Sequence, residues 1–143
     1  MYAFLRFRVG HEWYAIDVTH VVEVLRMMAI TPLPDAPPHV LGVITMRGQV
    51  VQVVDLRRYL SEAYTELNLS TPLVALRDAT GRLLLVVVDE VDDIVHLQDY
   101  DAQAPSASQI IAAVTRHNQE SLLVVDMANL MRAATRVTEA AGE

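Results

Sequence analysis

The chain has 143 residues, enough for one domain and too few for two ordinary ones. It has no cysteine, which removes disulfides, zinc–thiolate sites, iron–sulfur clusters and thiol nucleophiles together and points to a reducing cytoplasm. The formal net charge is -7, and the few arginines are scattered with no lysine among them, so a nucleic-acid partner is excluded.

In chain order, the opening stretch alternates. Leu5, Phe7 and Val9 interleave with Arg6 and Arg8, the period-two pattern of a half-buried strand rather than a signal peptide. Gly10–Glu12 is a turn, and Trp13–Val18 resumes with Tyr14, Ile16 and Val18 on one face, closing a first hairpin. Val22–Leu25 is a further short strand. Thr31–Pro38 carries Pro32, Pro34, Pro37 and Pro38; proline lacks the amide hydrogen that a strand ladder needs, so this is an extended connection.

Gly42–Met46 and Gln49–Val54 are strands joined by the turn signal Arg47-Gly48. Asp55 fits the N-cap of a short helix through Leu60. Ser61–Thr71 is a polar loop. Leu73–Leu76 and Leu83–Val88 form a hairpin around Asp78–Gly81. Leu83–Val88 is also the longest apolar run, at six residues, far short of the roughly 20 that span a bilayer.

Val91–Leu97 is another strand, and Gln98–Ser108 a polar loop. Ile110–Val114 and Leu122–Val125 make a last hairpin, and Asp126 caps a closing helix, Met127–Ala134. Residues 1–135 are thus one domain and 136–143 a frayed tail. Many short strands with turns at regular spacing place the chain in the mainly β, sandwich or barrel class. The two Asp-capped helices, each after an apolar hairpin, hint at two similar halves.

Catalytic patterns are missing. The five histidines, His11, His20, His39, His96 and His117, form no HExxH, and the five glycines build no phosphate-cradling loop. No serine sits in a GxSxG elbow. The run Asp89-Glu90 with Asp92-Asp93 lacks the glycine and terminal glutamate of an EF-hand; it reads as a solvated edge that discourages strand pairing.

One segment carries more. Leu33-Pro34-Asp35-Ala36-Pro37-Pro38 leads into Gly42-Val43-Ile44-Thr45-Met46-Arg47-Gly48 and a strand that ends in Asp55-Leu56. It resembles the signature of the CheW-like family. Phe4–Val18, Val21-Val22-Glu23-Val24, Val88-Asp89-Glu90-Val91 and Leu122–Leu130 resemble further elements of that family in the same order, over about residues 3–132. The resemblance implies two packed SH3-like five-stranded β-barrel subdomains with short helices. It implies a non-enzymatic adaptor without a cofactor, cytoplasmic but recruited to membrane-bound receptor arrays. The implied partners are chemoreceptor signalling tips, the regulatory domain of a CheA-type histidine kinase, and other CheW-like domains. Gln52, Leu85, Ala112, Thr45 and Met46 depart from common family residues, which bears on partner choice.

Arg47 is the first candidate contact. An arginine at a hairpin tip beside glycine is solvent-accessible and offers five donors in a planar fork, either to a receptor or to a carboxylate of its own domain. Gly42 and Gly48 are backbone residues first, and Gly42 equally suits the close approach of a partner helix. Val21 and Glu23 are expected on one strand face with Leu25, where an exposed valine suits a helix laid in a groove. Met46 lines that groove or the core. Two other classes are a metal-dependent hydrolase using the acidic run with His96, and a ligand-binding β-barrel with a continuous cavity. The pathway's output, whether flagellar, pilus or second messenger, is open.

Overall fold

The computed structural model describes residues 2–60, 66–97 and 110–141, with side chains to Ala134 in the last helix. Among the described residues, ten strands and two α-helices follow one another: β1 Tyr2–Val9, β2 Glu12–Asp17, β3 Val21–Arg26, β4 Val40–Met46, β5 Gln49–Asp55, α1 Leu56–Leu60, β6 Pro72–Arg77, β7 Leu83–Val87, β8 Glu90–Leu97, β9 Ile111–His117, β10 Glu120–Val125 and α2 Met127–Ala141. A 3-10 turn, Val18–His20, joins β2 to β3, capped by Asp17. Val18 therefore leaves the strand face on which the alternation placed it. The parts of the expected polar loops at 61–65 and 98–109 lie outside the described residues.

The strands form two five-stranded sheets, ordered β8-β1-β2-β10-β9 and β3-β6-β7-β5-β4. Each curls about its own core, so the molecule is mainly β with two SH3-like subdomains. Phe4, Ala15, Val95, Leu97, Leu122 and Val124 fill the first barrel. Ile44, Met46, Val51, Val53, Leu73, Leu85 and Val87 fill the second. The largest cluster lies between them, where Leu5, Phe7, Ile16, Leu76, Leu84 and Val86 meet Met127, Leu130 and Met131 of α2. Side chains fill both barrel interiors where a ligand-binding barrel would need its cavity. Leu84 and Val86 face the shared layer while Leu85 and Val87 face the second barrel, which explains why Leu83–Val88 is apolar at every position.

The hint of two halves has a topological basis. Residues 2–60 and 72–141 each run hairpin, strand, hairpin, helix. Each sheet takes its first hairpin from one half and its other strands from the other half. β5 lies parallel to β7 as β10 lies parallel to β2. The bulges recur as well. β3 shifts register against β6 between Val21 and Glu23, and β8 shifts against β1 at the matching place. β4 and β9 each shift near their starts.

Both helix caps form. Asp55 Oδ1 accepts from the Arg57 amide at 3.0 Å, and Asp126 Oδ1 from the Asn129 amide at 2.9 Å. The backbone of α2 stays helical to Ala141, seven residues beyond the Ala134 end expected from sequence, so the tail expected to fray begins as helix. Among the described residues, no helix is long and apolar enough to cross a membrane.

Candidate functional site

The β4–β5 hairpin has a two-residue tip. Arg47 and Gly48 have φ of 52° and 77°, both in the left-handed region, as a type I′ turn requires. Glycine adopts that conformation freely; an arginine there is strained. Arg47 Nη2 donates to Glu23 Oε2 at 2.6 Å, joining the hairpin tip to β3 at the far end of the sheet order. The two side chains are 58% and 32% exposed, so the pair sits at the surface with donors of Arg47 left for solvent or a partner. Arg47 thus meets a carboxylate of its own domain, as one of its two alternatives has it, and stays accessible.

The remaining predicted residues divide. Gly48 has open space around it, with no atom within 4 Å of where a Cβ would sit. Gly42 is closed over by its own chain. Thr31 exchanges two backbone hydrogen bonds with Val43, both 2.9 Å, and a Cβ on Gly42 would lie 2.0 Å from the Thr31 carbonyl oxygen. The room that glycine leaves is thus taken by the proline-rich connection, not held for a partner helix. Met46 is buried in the second barrel and lines no groove, because its side of β4 faces inward with Ile44.

Val21 does not share a face with Glu23 and Leu25. The bulge at Val22 flips the alternation, so Val21 packs against the layer between the barrels while Val22 and Leu25 pack into the second barrel. Val21 is half-buried at the start of β3. Two exposed apolar residues, one in β5 and one in β3, escaped the sequence reading. Val50, next to Gln49, is 70% exposed, and with Leu33 it lines a shallow groove of about 380 Å³. Val24, beside Glu23, is also exposed. Position beside a turn was the available signal; exposure was not readable from an apolar run.

The acidic run is engaged with arginine. Asp92 and Glu120 both pair with Arg6, which stacks 3.6 Å over the Trp13 ring, and Glu90 pairs with Arg8. Asp89 departs from the solvated reading. It accepts from the Gly10 amide at 2.7 Å and lies 3.7 Å from Arg57. Arg57 itself is buried and binds Asp55 through Nε and Nη2 at 2.9 and 3.0 Å, and the Asp55 hydrogen bond holds its pKa above the ordinary arginine value. His39 Nε2 is buried without a hydrogen-bond partner, and burial pushes the imidazole pKa below its usual value. Among the described residues, no three histidines or carboxylates are grouped to hold a metal ion.

Paired SH3-like barrels with an exposed arginine–glutamate pair at one hairpin tip define the class: a β-barrel domain whose distinctive chemistry lies on its surface. The CheW-like domain model matches residues 3–135, and the chain belongs to that family. Chemotaxis protein CheW of Rhizobium meliloti (strain 1021) is 32% identical over 99 residues, 69% of this chain and 63% of that protein. The chain thus spans somewhat under two thirds of that relative. Protein FrzA of Myxococcus xanthus is 31% identical over 139 residues, 92% of this chain and 86% of that protein. The crystal structure of scaffolding protein TtCheW from Thermoanaerobacter tengcongensis has the same fold, with a TM-score of 0.80 at 18% identity, covering 88% of this chain and 89% of that one.

Proposed function

We propose that the chain is a non-enzymatic cytoplasmic adaptor that couples chemoreceptor signalling tips to a CheA-type histidine kinase, recruited to receptor arrays, with Arg47 at the receptor contact. The observation that carries the proposal is the tip itself. A type I′ turn favours Asn-Gly or Asp-Gly, and this one holds an arginine in the left-handed region with its guanidinium exposed. Local backbone preference does not select that residue, and backbone strain at an exposed position points to function. Glu23 orients the guanidinium, Gly48 keeps the tip open, Val50 supplies exposed apolar area beside the turn, and Val21, half-buried at the start of β3, belongs to the proposed contact.

Family membership supports the adaptor reading, as do relatives named chemotaxis protein CheW. FrzA, which carries another name, aligns over more of the chain than the Rhizobium protein does; this favours a second reading in which the same coupling serves an output other than flagellar rotation. Small surface contacts are individually weak and gain by repetition within an assembly.

The test is a titration of the protein with receptor signalling tips and, separately, with the kinase regulatory domain. Arg47→Asn is expected to weaken tip binding about tenfold, the effect of losing one charge-assisted contact, while the melting temperature stays level or rises as the turn relaxes. Unchanged tip binding by Arg47→Asn and by Val21→Lys would remove this site from the receptor contact.

A further inference from the structure

Three segments meet at His39. The proline-rich connection ends on it, and β4 begins at the next residue, Val40. The His39 carbonyl accepts from the Asp55 amide at 2.7 Å, which ties the last residue of β5 to the start of the hairpin. The Val40 amide donates to the Pro37 carbonyl at 3.0 Å. The helix α1 closes the junction: Arg58 Nη1 donates to the Pro38 carbonyl at 3.2 Å, and the Tyr59 ring lies 5.1 Å from the His39 ring, tilted by 56°. The base of the hairpin that carries Arg47 is therefore held by bonds on both sides of His39.

The imidazole is the odd group in this junction. Its Nε2 is buried without a hydrogen-bond partner, whereas buried polar atoms are ordinarily paired. A neutral ring carries a proton on one nitrogen, and a charged ring on both. The closed junction thus accommodates the neutral ring at the cost of one unmade hydrogen bond. Protonation makes Nε2 a charged donor with no acceptor, whichever tautomer precedes it. The charged neighbours give no relief. On α1, Arg57 and Arg58 are cations and Tyr59 presents its ring. Asp55 on β5 is already bonded by Arg57 and approached by Arg58 at 3.7 Å. Asp35 in the connection is exposed. Burial accordingly holds the His39 pKa below its usual value.

We propose that His39 is an acid-sensitive latch at the base of the β4–β5 hairpin: its neutral ring lets the connection, β5 and α1 close on one another, and uptake of a proton from water by the ring opens them. In the open junction the ring meets water and titrates near its ordinary value of about 6.5, whereas the closed junction holds it lower. The latch is at full strength above that pH. It weakens as pH falls from there towards the lowered pKa, with the opening constant rising by up to about tenfold per pH unit. The latch lies at the opposite end of the hairpin from Arg47, and it does not depend on what the tip binds.

The test is NMR of the intact chain between about pH 7.5 and 5, the range in which histidine titrates. The His39 ring is expected to titrate below about 6.5. Hydrogen exchange at the Val40 and Asp55 amides, corrected for the pH dependence of exchange itself, gives the opening constant of the junction. That constant is expected to exceed the one for the Ala15 amide in β2, and to rise by up to about tenfold per pH unit below about pH 6.5. His39→Phe keeps a ring against Tyr59 and removes the titrating nitrogen, so the rise is expected to vanish. An equal rise in His39→Phe, a His39 ring that titrates at or above its ordinary value, or Val40 and Asp55 amides that open no more often than Ala15 would each overturn the latch.

Discussion

Arg57 and Asp55 are the most consequential pair of side chains in the interior. Asp55 has no exposure and Arg57 almost none, so each charge depends on the other for the solvation it has given up. Arg57→Met is expected to leave the buried Asp55 with only the half-exposed Arg58, 3.7 Å away, as a counter-charge, at a cost of about 3 kcal/mol, read as a lowered urea midpoint. Asp55→Asn together with Arg57→Met is expected to recover part of that loss, because the buried charge is then gone. Half of this pair was legible in sequence: an aspartate after an apolar strand is recognisable as a cap. The burial of Arg57 was not, since an arginine in a short helix ordinarily faces water. Only the convergence of Gly10, Asp89 and α1 makes an enclosed place for it. Arg47 was legible for the opposite reason, because a turn places its residues outward whatever the rest of the chain does.

Among the elements, the β4–β5 hairpin shows how far local rules reach. The short apolar run Gly42–Met46, the Arg47-Gly48 turn signal and the return run Gln49–Val54 located both strands and the tip. They did not reveal that Thr31 would pair with Val43 across Gly42. Gly42→Ala is expected to destabilise the domain by about 2–3 kcal/mol or more, since a side chain is strained at a φ of 143° and the new methyl would also meet the Thr31 carbonyl. Faster hydrogen exchange at the amides of Thr31 and Val43 would mark the displaced connection. The β3 strand was located correctly, but its facing was not. A bulge is fixed by the partner strand, here β6, so the assignment of Val21 and Glu23 to one face could not be checked within the six residues of β3. The length of α2 was misjudged because the chain after Ala134 has little apolar content, although the helix backbone continues without it.

For the whole molecule, the exchanged hairpins make the two barrels one cooperative unit. Neither half of the chain closes its own sheet, and the largest apolar cluster belongs to both barrels. Leu84→Ala in that shared layer is expected to cost about 2–5 kcal/mol. It should do so in a single transition, with fluorescence of Trp13 in the first barrel and hydrogen exchange in β4 of the second reporting the same midpoint. Separate midpoints would show that the barrels unfold independently. The sequence by itself determined what depends on near neighbours in the chain: the β class, nearly every strand, both helix caps, the hairpin tips and the family resemblance. The tertiary structure alone decided what depends on residues far apart in the chain: the interleaving of the halves, the burial of Arg57 and Met46, the closure over Gly42, the facing of Val21 and the enclosure of His39 Nε2. Alternation and turn chemistry act over a few residues, whereas these features arise where segments some 10 to 110 residues apart in the chain are brought side by side.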